Sequence, residues 1–336
     1  MKAADRELLS AVVVLRPAGR VELRAGHGRW VHAWFLKDLV RRRDPALAAV
    51  LHGDVAPTGR GIATRAAAWR QRLEAPDASA ESSKQDKPFT LSTLQGGRPM
   101  PHGALEFVPE RECWLRVTAF APALAEWLAG VLRDTRGEVR IGRSTFEVLG
   151  AAVSPSELPP GLQEVAGPWI RREPVDRLIA RACGAAGRQR SLHWQFLSPT
   201  TFRSGQRCLP FPLPSLMLAR LAERWCRFLS DEGLAGNSAR LGEYLQVEDF
   251  ALRTEEAGLD GVPQGFVGHC AMRIGKGASP EIVRTIHVLS AFSFYAGVGS
   301  KTPMGLGQAF ASCAPSSDGA GRRDPACSHH LDRNGR

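Results

Sequence analysis

One order of elements, legible twice in the same chain, is the strongest constraint on how this sequence can fold. Leu8 to Leu15 reads LLSAVVVL, a short β-branched run that predicts a buried strand ended by Pro17 and Gly19. Val21 to Leu23 reads as a short edge. Within Trp30 to Arg43, the residues Val31, Trp34, Phe35, Leu36, Leu39 and Val40 recur at helical spacing. Asp44-Pro45 stops that helix and starts another, Ala46 to Leu51, with Pro45 in the first turn and His52-Gly53 at the end. Glu74 to Lys87 is polar and lacks a core pattern, which predicts a surface loop. Pro88 to Leu94 alternates as a strand, and Ala104 to Phe107 with Cys113 to Phe120 predicts a hairpin. An amphipathic helix follows over Pro122 to Arg133, then strands over Val139 to Ile141 and Thr145 to Val153. Strand, helix, strand, strand, helix, strand is the ferredoxin-like unit.

A Pro-rich stretch, Ser154 to Pro168, separates this unit from a second copy. There Ser191 to Leu197 predicts a strand and Pro214 to Leu229 a strong helix through Leu216, Leu218, Leu221, Trp225 and Phe228. Strands over Tyr244 to Leu252 and Gly265 to Ile274, a helix over Pro280 to Tyr295 and a closing strand over Gly305 to Phe310 complete it. The expected fold class is therefore α+β, with tandem ferredoxin-like βαββαβ domains and a C-terminal glycine-rich loop. Its parts are an N-terminal domain over 1–153, a linker over 154–168, a C-terminal domain over 169–310 and a disordered tail over 311–336. A length of 336 residues agrees with two domains of roughly 150 residues each, and an apolar share of 43% supplies the cores.

Other classes are disfavoured. Nowhere do about 18 apolar residues run together, so no membrane-spanning helix is expected. Asp5 and Glu7 interrupt the first fifteen residues, which lack the apolar core of a secretory signal. Seven scattered cysteines without a C-x-x-C fit neither a disulfide framework nor a zinc ribbon, and this predicts a reduced, cytoplasmic setting. The formal charge of +10 favours a polyanionic partner. Arginines cluster at Arg41-Arg42-Arg43, Arg171-Arg172, Arg203 with Arg207, and Arg322-Arg323, although any one cluster could be a solvated face.

The segment Gly297-Val298-Gly299-Ser300-Lys301-Thr302-Pro303-Met304-Gly305-Leu306-Gly307 carries the most chemical information. Glycines let backbone N–H groups approach a phosphate, and a lysine adds a point charge. A Walker A loop would need glycine at the positions held by Tyr295 and Ser300, and it would follow a strand rather than a helix. Turn glycines that hold no ligand are the plainer alternative.

This loop resembles the signature G-x-G-x-[KR]-[TS]-x-x-G-[FL]-G of the RAMP superfamily, specifically its CRISPR-associated endoribonucleases that cut precursor CRISPR RNA. Other segments resemble that family in the same order: Asp44-Pro45-Ala46-Leu47-Ala48 through Leu51-His52, Pro88 to Ser92, Phe196 to Phe202, and Leu209 to Pro212 followed by Leu221 to Trp225. The resemblance spans about residues 8–310. It implies RRM-like domains and a metal-independent reaction without a cofactor. The ribose 2′-hydroxyl attacks the adjacent phosphate and leaves 2′,3′-cyclic phosphate and 5′-hydroxyl ends. The implied partners are CRISPR repeat RNA and subunits of a CRISPR effector complex, with no membrane.

Such a reaction needs a base for the 2′-proton and a cation for the charge that builds on phosphorus. The resemblance places the catalytic histidine at His52, with His32 on the first helix as second candidate and His27 as third. Lys37 is the nearest cation on that helix, where relatives use a tyrosine or lysine. The candidate RNA-binding residues are Gly297, Gly299, Lys301, Thr302, Gly305 and Gly307 of the loop, then Arg203 and Arg207. A noncatalytic RNA-binding RAMP subunit of an effector complex is the alternative reading.

Overall fold

A computed structural model describes residues 6–53, 60–74, 86–101, 103–184, 189–205, 207–229 and 238–313. The β-branched run of strand β1 (Glu7–Pro17) is buried at nearly every position, so both of its faces are covered. The short strand β2 (Val21–Leu23) follows it. Helix α1 (Gly28–Trp34) then widens into a π-turn over Phe35–Val40, where Arg41 donates its N–H to the Leu36 carbonyl at 2.9 Å. The single helix expected over Trp30 to Arg43 is thus two pieces.

Helix α2 (Pro45–His52) starts as its sequence predicts. The Asp44 carboxylate accepts from the Ala46 and Leu47 amides at 3.0 and 3.1 Å, and Gly53 closes the far end with φ of 94°. Asp44 also accepts from the Trp69 indole at 2.9 Å, which ties α2 to helix α3 (Arg60–Leu73). Burial alone would raise the Asp44 carboxyl. The Trp69 indole, the two amides and Arg65 outweigh it and hold the group below the ordinary carboxylate value.

Strands β3 (Phe89–Leu91), β4 (Arg98–Pro99), β5 (Leu105–Phe107) and β6 (Cys113–Ala119) come next, then helix α4 (Pro122–Arg133) and strands β7 (Gly137–Ile141) and β8 (Ser144–Ala152). The sheet runs β3-β6-β1-β8-β7, with β1 antiparallel to both neighbours. The hairpin expected between Ala104–Phe107 and Cys113–Phe120 does not form. Both edges of β6 are taken by β1 and β3, and β5 pairs instead with β2 and β4. There the buried Glu106 meets Arg98 at 2.7 Å and Arg20 at 3.2 Å.

Residues 154–168 contain the short helix α5 (Pro160–Ala166), and Leu158, Leu162 and Ala166 pack against Val12, Val14 and Trp114. Strand β9 (Arg171–Pro174) adds to the start of β1, and helix α6 (Val175–Cys183) follows. The second half consists of β10 (Ser191–Thr200), the ribbon β11 (Phe202–Ser204) and β12 (Arg207–Leu209), helix α7 (Pro214–Leu229), β13 (Leu245–Leu259), β14 (Val262–Ile274), helix α8 (Pro280–Ala296) and β15 (Ala309–Cys313). Its sheet runs β13-β14-β10-β15. In both halves the unit's four strands stand in the order second, third, first, fourth, the ferredoxin-like arrangement.

Two expected boundaries move. β13 and β14 run on past Leu252 and start before Gly265 as a ribbon whose β13 face is mostly exposed and charged, so it carries no apolar period. The last strand lies over Ala309–Cys313 rather than Gly305–Phe310, with Ala309 opposite Phe196 and Cys313 opposite Leu192. Ala311 to Cys313, expected in the tail, therefore belong to the sheet. The rest of that expected tail, 314–336, lies outside the described residues, as do 75–85 of the expected loop. No helix among the described residues is long and apolar enough to cross a membrane.

The halves meet across a polar face of the first sheet. Thr118 donates to the Tyr295 carbonyl at 2.7 Å, and Gln308 donates to the Leu91 carbonyl at 3.2 Å. The buried Arg116 donates to Ser10 at 2.7 Å, to the Gln308 side chain at 3.2 Å and to the Phe294 carbonyl at 2.5 Å. Its guanidinium also lies 4.0 Å from the centre of the Phe294 ring.

Candidate active site at the glycine-rich loop

The loop from Gly297 to Gly307 begins where α8 stops and folds back on itself. Val298 donates to the Gly307 carbonyl at 2.8 Å, Gly307 donates to Pro199 at 3.1 Å, and Ser300 donates to Thr201 at 2.9 Å. A Cβ at Gly307 would fall 1.9 Å from the Val298 oxygen, so this closure needs glycine. Gly297, Gly299, Gly305 and Gly307 are all buried, packed against Thr302, the Thr201 carbonyl, Thr93 and the Val298 carbonyl respectively. Thr302 is only 2% exposed. These residues, the sequence's candidates for RNA contact, build the loop's own closure, and Lys301 is its half-exposed cation.

Lys301 has φ of 58°, the single non-glycine residue with positive φ among the described residues. A lysine in this conformation costs about 1 kcal/mol, and the surrounding bonds hold it there. The turn Thr302–Met304 then reaches the first half. Gly28, at the start of α1, lies so close that a Cβ there would fall 1.9 Å from the Met304 oxygen.

This docking sets Lys301 beside histidines of the first half. His32, on the half-buried side of α1, stacks on Phe89 with ring centres 6.1 Å apart. Burial, then the charges of Lys87, His52 and Lys301, lower its pKa to about 4. Its imidazole is neutral at physiological pH and free of the charge that would bind phosphate. His52 lies exposed at the C-terminal end of α2. Lys87 approaches from the chain entering β3: its ammonium would lie 3.1 Å from a Cβ at Gly53, the residue after His52. Two histidines and two lysines thus converge from α1, α2, the approach to β3 and the loop of the second half.

The remaining candidates lie elsewhere. Lys37 is exposed and lines a separate cleft with Trp30, Asp38, Arg140 and Arg143. His27 is buried structure: its Nδ1 pairs with the Arg24 carbonyl at 2.9 Å, and its Nε2 accepts the Leu94 amide at 3.1 Å. Burial lowers its pKa, and the second bond fixes a neutral ring. Arg203 stands opposite Cys208, and Arg207 opposite Ser204, so the two arginines project from opposite faces of the β11–β12 ribbon. The Cys208 face packs toward Met304 and Leu306 of the loop, which places Arg203 rather than Arg207 on the loop side.

Sequence reasoning passed over Arg224. On α7 it donates to the Ala296 carbonyl at 2.6 Å, to Gly297 at 3.4 Å and to Gly299 at 3.3 Å, and it pairs with Asp86 at 3.2 Å. The signal was present: Arg224 falls on the apolar stripe of Leu221, Trp225 and Phe228, where a charge needs partners.

Residues 194–309 match the family model of the CRISPR-associated endoribonuclease Cas6. A Cas6 solved in a substrate mimic complex is similar over 91% of this chain and 100% of its own, with 25% identity and a TM-score of 0.58. A Cas6 product complex is similar over 91% and 99%, with 26% identity and a TM-score of 0.58. Thermus thermophilus Cas6 shares the fold at 23% identity and a TM-score of 0.56 over 91% and 98%. No curated protein matches by sequence.

Proposed function

We propose that the chain is a Cas6-type RAMP protein and, on that premise, an endoribonuclease cutting precursor CRISPR RNA within its repeats. The observation that carries this reading is the meeting of His32, His52, Lys87 and Lys301 at the junction of the two halves.

In this reading the His52 imidazole takes the proton of the ribose 2′-hydroxyl. The freed oxygen attacks the neighbouring phosphorus, and the bond from phosphorus to the 5′-oxygen breaks. The 5′-oxygen takes a proton from water and leaves as a hydroxyl, while the other strand end keeps a 2′,3′-cyclic phosphate. The nucleophile and the leaving group both belong to the RNA, so this route calls on no metal ion or cofactor. Lys301 supplies positive charge to the phosphate from a backbone fixed in advance. Neutral His32 serves as a hydrogen-bonding wall of the same pocket. Arg203 extends the binding surface along the ribbon beside the loop. The partners are CRISPR repeat RNA and effector complex subunits that receive the product.

Cleavage of repeat RNA in EDTA, with a cyclic phosphate on the upstream product, tests the reaction. His52→Ala is expected to slow cleavage about 1,000-fold while binding to a 2′-deoxy substrate stays intact. Binding without any cleavage by the wild-type protein would favour a noncatalytic RNA-binding subunit. Loss of cleavage in His32→Ala but not in His52→Ala would move the base to His32.

A further inference from the structure

Lys37, the sequence's candidate for the assisting cation, lines another cleft. We propose that Lys87 is the cation that meets the scissile phosphate beside His52, and that the Arg224–Asp86 pair sets Lys87 and the glycine-rich loop in place together. This rests on the site being an RNA-cleaving one.

The geometry begins at Gly53, where the Lys87 ammonium lies 3.1 Å from a Cβ built on the residue following His52. Of the neighbouring charges that disfavour protonation of His32, Lys87 has the largest effect, after burial itself. Asp86, directly before Lys87, has its carboxylate on the Arg224 guanidinium, with the two side chains only 9% and 7% exposed. The same guanidinium holds the Ala296, Gly297 and Gly299 carbonyls just upstream of Lys301. One buried arginine of the second half therefore anchors the approaches to both lysines. A planar guanidinium can serve several acceptors in fixed directions at once, which an ammonium cannot.

As the 2′-oxygen bonds to phosphorus, negative charge grows on the two non-bridging oxygens. An ammonium already in place stabilises that charge more than the ground state. Lys87 donates hydrogen bonds throughout and transfers no proton. Arg224 acts through Lys87 and the loop and is a positioning residue.

The test is single-turnover cleavage of repeat RNA by the full chain, with Kd measured on a 2′-deoxy substrate. Lys87→Ala is expected to cleave about 100-fold more slowly, with Kd changed by less than about fivefold, and Lys87→Arg to recover part of the rate. Arg224→Lys, which keeps a charge opposite Asp86, is expected to slow cleavage with Kd preserved. Arg224→Lys should slow Lys87→Ala by a smaller factor than it slows the wild type, the remaining loss reporting its hold on the loop. Wild-type rate in Lys87→Ala, with His52→Ala inactive, would overturn this proposal and leave the endoribonuclease reading standing. Losses that simply multiply in the double variant would overturn the positioning role. Intact RNA with the wild-type protein would overturn the endoribonuclease reading itself, and this proposal with it.

Discussion

The two halves share a strand order and use it differently. In the first, β1 is buried along both faces. In the second, the equivalent strand β10 alternates buried and accessible positions in the manner of a strand with one covered face. The difference lies in what the first sheet borrows. Its polar face, with Ser10, Arg116 and Thr118, is closed by the end of α8 and by Gln308, both from the second half. The first half brings the histidines, and the second brings the loop and the arginine that holds it. The repeated fold thus sets His32, His52 and Lys87 of one half beside Lys301 of the other.

The largest break in this division should come from Gly28→Val. It adds atoms where the Met304 carbonyl already sits, separating the loop from α1 without removing any proposed catalytic group. Single-turnover cleavage should drop about 100-fold, the scale on which catalysis depends on positioning. An unchanged rate would show that the halves need not touch there. A smaller effect separates the histidines by pH. Folded His32 refuses a proton until about pH 4, whereas an unfolded histidine takes one near pH 6.5. Stability is therefore fully present above about pH 6.5 and falls as pH drops through the window to about 4. A thermal-melt series should show that decline made shallower in His32→Gln. The residual slope belongs in part to His27 and His287, both lowered chiefly by burial. Identical slopes in the two proteins would remove His32 from the buried, cation-facing place described here. The smallest effect is expected for Lys37→Ala, whose cleavage rate should stay within about twofold of wild type, as for a solvated surface lysine. A large loss would return Lys37 to the site.

Much of this was legible in the sequence where a periodic signal carried it. The run from Leu8 to Leu15 and the stripes of α4, α7 and α8 report burial directly. Asp44-Pro45 and Gly53 mark the ends of α2 by their backbone chemistry, and so they place His52. Three things were not legible, each for a physical reason. The partner of β5 depends on which edges of β6 are free, and no local pattern encodes that. The extension of β13 carries charge on both faces, so its sequence resembles a loop. Lys87 lies in a polar stretch far from the histidines in sequence. Only the Arg224–Asp86 contact, made across the two halves, reveals why that stretch ends where it does. The glycines were legible by spacing, while the close packing that makes each of them necessary to the loop's closure is visible only in the fold.

Arg116 has a thermodynamic consequence. Its charge is shut inside with no carboxylate opposite it among the described residues, and burial lowers its pKa to about 9. Its acceptors are neutral oxygens drawn from both halves of the chain. Parting the halves would strip away the acceptors that the second half provides, and would rewet a face that cannot close by itself. The halves therefore gain little from melting separately, and heat should unfold the body in one cooperative transition despite its two-part architecture.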